Sequence, residues 1–183
     1  MEEFLLTIRI PATVVHVLSV VLAMGSALTT DALFSFYGKK KRLEPSELAT
    51  LDFLSKLVLA GLGVVFISGA ILFFGSMEEY MNSSKFLSKM TILLVLLING
   101  FFLNKFIWPH LLTVDFFTAP EKRGVRRFAF ASGAVSVISW LLVCILGVLN
   151  RLNMSYTDII SIYLGIIVFG IVVALLVEKH ELD

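Results

Sequence analysis

Five long apolar runs separated by short polar stretches make up nearly the whole chain, at about 13–36, 51–74, 90–109, 128–149 and 159–177. A helix needs about 20 residues to cross a ~30 Å hydrocarbon core, and each run meets that length. Lipid offers the backbone no hydrogen-bond partner, and the runs are too continuous for barrel strands, so they must be helices. The pattern predicts an all-α integral membrane bundle of five transmembrane helices. No polar stretch between them is long enough to fold alone, so residues 1–183 read as a single transmembrane domain.

Composition agrees and narrows the field. The chain is 58% hydrophobic and 16% charged, where a soluble domain carries about 25% charged residues. A net charge of +1 creates no field for a polyanion, which sets nucleic-acid binding aside. The single cysteine, Cys144, excludes an internal disulfide or a cysteine-built metal cluster.

Basic residues orient the bundle. Lys39, Lys40, Lys41 and Arg42 fill the first loop, and Lys122, Arg123, Arg126 and Arg127 the third. The other flanks hold little beyond Arg9, Lys85, Lys89 and Arg151. The positive-inside tendency then puts the N-terminus outside and the C-terminal tail, 178–183, in the cytoplasm. The first run follows an acidic leader, Glu2 and Glu3, and contains His16, which is wrong for a cleaved signal, so it is expected to be retained. A shift of 71 residues lays 56–105 over 127–176, with Ile67-Ser68 meeting Ile138-Ser139. That suggests two similar hairpins, although shared composition explains it equally well.

Ionisable groups in such helices cost about 2.5–3.5 kcal/mol on insertion scales, so each raises a functional question. With 100° per residue, His16, Ser19, Ala23, Ala27, Thr30 and Asp31 fall on one side of the first span. This small, polar stripe should face the bundle. On the third span Lys89, Leu96, Gly100 and Asn104 share an arc with Asn99 at its edge. Two polar layers follow: His16 with Lys89 in the outer half, and Asp31 with Asn104 in the inner half. Blander roles compete, since Lys89 can snorkel to the interface and Asp31 can pair with a base such as Lys56.

Met77, Met81, Met90 and Met154 cluster in the outer loops and adjoining helix ends. Thioether sulfur suits Cu(I), and one helical turn aims Met77 and Met81 the same way, while interfacial packing is the plainer use. There is no phosphate loop, no histidine pair at i, i+4 and no nucleophile with a base, which weighs against hydrolase or NTPase chemistry.

The stretch 51–149 resembles the copper-resistance D (CopD-like) membrane domain. The resemblance rests on Ile67-Ser68-Gly69, then Tyr80 and Ser84, Lys89 opening a helix, Asn104-Lys105, Pro109-His110-Leu111 and Arg126-Arg127-Phe128. His16 followed by Gly25 is similar to the opening helix that this group shares with HemJ-type haem proteins. The first resemblance implies copper binding or transport in a bacterial inner membrane, through His16, Met77, Met81, Met90 and Met154 and a polar path of Asp31, Asn99 and Asn104. The second implies a b-type haem, with His16 as axial ligand and Lys89 near it. A third reading is a structural or assembly protein without a ligand, whose partner is another membrane protein or a second copy.

Overall fold

The computed structural model describes residues 2–38, 43–111, 116–149 and 152–182. The basic loop Lys39, Lys40, Lys41 and Arg42 and the flanking Arg151 lie outside the described residues. Long helices α1 (Glu2–Gly38) and α2 (Pro45–Gly75) are followed by a short α3 (Met77–Met81) and by α4 (Ser84–Phe102). A π-helical turn, Leu103–Ile107, and the single-turn α5, Trp108–Leu111, extend α4. A 3₁₀ turn, Pro120–Lys122, leads into α6 (Arg123–Val148), and α7 (Tyr156–Leu182) closes the chain. Five of these units are long and apolar enough to cross a membrane, and the protein is an integral membrane protein.

The helices outrun the apolar stretches because their ends are capped by polar residues beyond them. At the start of α2, Glu47 Oε2 accepts the Glu44 N–H at 2.9 Å, and Pro45 occupies the first turn, where its missing N–H costs nothing. Ser155 and Asp158 cap the start of α7 reciprocally: Asp158 accepts the Ser155 N–H at 3.1 Å and donates its own N–H to Ser155 Oγ at 3.2 Å. The Ser83 hydroxyl accepts the Phe86 N–H at the start of α4.

Packing divides the helices into two groups. α1 and α2 lie along each other, and α6 packs on α7 and α4. α1 meets α6, whereas α2 and α4 touch sparsely. The second span therefore pairs with the first, so the units 56–105 and 127–176 are packed differently. Close approach within the first pair depends on Gly61, where an added Cβ would stand 2.8 Å from the Ala23 Cβ.

Call the end carrying α3 and the α6–α7 connection the upper end. The lower end is closed by Leu43, Ile107, Leu111, Phe116, Phe117 and Ala129. A buried ionic lock holds this floor. Arg126 donates to the carbonyls of Ala119 at 2.7 Å and Phe116 at 3.3 Å. Its Nε lies 3.7 Å from Glu178, which Arg127 approaches at 3.5 Å.

Candidate functional site

The stripe on α1 faces the bundle: Ser19, Ala23, Ser26 and Ala27 are buried, and His16 and Asp31 are partly so. Small residues on this face let neighbouring helices close on it, which is why both ionisable groups end up between helices instead of in lipid.

In the upper layer the imidazole has a side-chain partner. His16 Nδ1 lies 3.1 Å from Ser68 Oγ, and its Cε1 packs where Gly69 lacks a side chain. Ser68 spends its own proton on the Val64 carbonyl at 2.6 Å, so its oxygen is left to accept from His16. That makes Nδ1 the protonated nitrogen of the neutral ring and leaves Nε2 with a bare lone pair. Lys89 is close enough for its charge to act on the imidazole, as the shared level along α1 and α4 predicts.

Below this layer comes a dry one. Ala23, Ala27, Leu96 and Trp140 form an apolar cluster completed by Met24, Val58 and Leu62. Mainly apolar side chains therefore lie between His16 and Asp31.

The lower layer is differently built. A cavity of about 1110 Å³ lies between the α1–α2 pair and the α4, α6 and α7 group, and Asp31, Asn99, Asn104 and Ser136 are in its wall. Ser136 hydrogen-bonds the Asp31 carboxyl group. The other oxygen, Oδ2, is buried and has no hydrogen-bond partner. Pairing of Asp31 with Lys56 does not occur, because Lys56 bridges Asp52 one turn away on α2 at 2.6 Å. Asn99 donates to the Ser132 carbonyl at 3.0 Å. Asn104 stands in the π-helical turn, donates to the Gly100 carbonyl at 3.1 Å and accepts from Ser55 Oγ at 3.5 Å. A widened turn of this kind turns side chains away from the regular helical register and often marks a functional position.

The four methionines spread over the upper end. Met77 and Met81 are exposed on α3, whose single turn puts them on one side, and Met90 is exposed on α4. Met154 packs against the cluster of Ile92, Leu146, Ile159 and Tyr163. Among the described residues no three His, Cys, Asp or Glu side chains gather as a metal site.

Partners of the polar residues escaped the sequence reading although a signal existed. Ser132, Ser136 and Ser139 recur at helical spacing along α6, and all three are buried. One takes the Asn99 amide on its carbonyl, the next binds Asp31, and the last pairs with Tyr163 at 2.8 Å. Comparison of the chain with protein families, curated proteins and solved structures finds no match.

Proposed function

We propose that this integral membrane protein binds and passes copper without acting as an enzyme, with His16 as its imidazole ligand. The supporting observation is the Ser68 contact. A hydroxyl that holds Nδ1–H at 3.1 Å orients the ring and leaves Nε2 as the donor atom, the arrangement found behind metal-bound histidines. The thioethers of Met77, Met81 and Met90 lie exposed towards the same end and supply the soft donors Cu(I) favours. In this reading that end is the outer face and the lower end the cytoplasmic one, as the positive-inside tendency of the basic loops favours.

Passage requires a site that holds its ion only moderately, and a single imidazole with exposed thioethers nearby fits that need. Onward movement to Asp31, Asn99 and Asn104 needs the dry layer at Ala23, Leu96 and Trp140 to part. A b-type haem is less well served. The large cavity has no His, Cys or Met in its described wall to ligate iron, and the His16 ring is packed against Gly69.

Metal content and the absorption spectrum of purified protein, with and without His16→Ala, test the proposal. Copper bound by the wild type and lost in the variant supports it. A Soret band in haem-supplied protein transfers His16 to the haem reading. Protein with neither copper nor a Soret band overturns both.

A further inference from the structure

The lower cavity is a second site, independent of His16. We propose that it binds an amphiphile with a protonated amine on an apolar body, the amine pairing with Asp31.

Size and lining set the frame. Binding pockets run to about 300–1,000 Å³, mostly apolar with a few polar groups that fix orientation. This cavity, at about 1110 Å³, has that composition. Leu59 of α2 and Phe101 of α4, both exposed, are also in its wall. Since α2 and α4 pack sparsely, an apolar molecule dissolved in the bilayer can enter from the side.

Hydrogen-bond accounting selects the headgroup. Asn99 and Asn104 each commit an amide N–H to a backbone carbonyl, and the Ser136 hydroxyl is engaged by Asp31. The buried side-chain atom that the described wall leaves without a hydrogen-bond partner is an acceptor, Oδ2 of Asp31. A buried acceptor without a donor is costly, and an uncompensated carboxylate more so. No Lys, Arg or His of the described wall supplies the missing charge. An ammonium group brings N–H donors and positive charge together. A carbonyl or carboxylate ligand would bring only more oxygen. Rotation about Cβ–Cγ, a soft torsion in aspartate, presents either carboxyl oxygen to the cavity. The rings of Phe34, Trp108, Phe130 and Trp140 in the wall suit the apolar body and can add cation–π attraction.

The chain reports on this site itself, because its two tryptophans, Trp108 and Trp140, both line the cavity. Purified full-length protein in nanodiscs is titrated with dansylcadaverine, a primary amine whose dansyl group accepts tryptophan excitation, and with its neutral N-acetyl derivative. Expected are saturable energy transfer with the amine and at least tenfold weaker binding of the acetylated probe. Asp31→Asn should reduce amine binding to the acetylated level and leave the acetylated probe unchanged. Asn104→Leu, at an exposed position of the cavity wall, should weaken the amine several-fold while the acetylated probe binds as before. Should Asp31→Asn fail to fold, the two probes on wild type and on Asn104→Leu decide the matter. Absence of saturable transfer, equal binding of the two probes to wild type, or a preference for the amine that is undiminished in the folded variants overturns the proposal. None of these readouts depends on copper or on His16.

Discussion

The upper and lower polar layers are built from the same stripe on α1, yet their ionisable groups on that helix are held differently. His16 has a Ser68 hydroxyl partner and a close fit on Gly69, whereas Asp31 keeps one buried oxygen without a partner at the wall of a cavity. Helix pairing accounts for the contrast. α1 packs on α2 along its length, so any group on that seam meets a partner, while the seam between the α1–α2 pair and the other helices stays open lower down. A satisfied buried group can be explained by stability alone. An unsatisfied one persists at a cost and calls for something that arrives from outside.

The largest way to break this contrast is to remove the lock under the open seam. Arg126→Ala leaves Glu178 buried with only the half-exposed Arg127 beside it and frees the Phe116 and Ala119 carbonyls. Losing one partner of a buried pair costs about 3–5 kcal/mol, so the thermal midpoint in detergent should fall steeply. Adding Glu178→Gln should recover part of the loss, because the stranded charge goes with it. An Arg126→Ala protein as stable as the wild type would show that the lock does not support the cavity floor.

Next in size is the dry layer between the two. A Cβ at Gly61 would stand 2.8 Å from the Ala23 Cβ and 3.1 Å from its backbone, so α1 and α2 must separate to admit Gly61→Val. Overpacking of this kind costs about 1–3 kcal/mol. Gly63→Val has nothing within 4 Å of the added carbon and should stay within about 0.5 kcal/mol of wild type. Equal midpoints for the two variants would mean that the α1–α2 contact at Ala23 is not tight.

Sequence reasoning reached the spans and the inward stripe for a physical reason: lipid forces long apolar helices, and small or ionisable residues must turn away from it. It fell short at the ends, because hydropathy does not register caps such as Glu47 and Asp158, which carry α2 and α7 past their apolar runs. The cavity was out of reach for a different reason. It exists because α2 pairs with α1, and an internal similarity between 56–105 and 127–176 suggests other hairpins. Arg126 and Arg127 were legible as charges that orient a loop, but their burial against Glu178 depends on where α7 ends in space. The serines of α6 were visible as a ladder, and only packing tells which rung meets Asp31.

The smallest expected effect is also the most specific, and the shift of 71 residues supplies its control. Ser68 and Ser139 occupy matching positions, and each donates to the carbonyl four residues back at 2.6 Å while holding a partner on the neighbouring helix. For Ser68 the partner is His16 at 3.1 Å, and for Ser139 it is Tyr163 at 2.8 Å. Interhelical hydrogen bonds in membranes average about 0.6 kcal/mol, so Ser68→Ala and Ser139→Ala should each lower the thermal midpoint slightly and by similar amounts. Their effects on His16 should differ. Ser68→Ala removes the acceptor that fixes Nδ1–H, so nitrogen NMR of the imidazole should shift from one tautomer to a mixture, and copper binding should weaken with it. Ser139→Ala should leave the imidazole spectrum unchanged. If both variants preserve a single Nδ1–H form, Ser68 contributes packing without orienting the ligand.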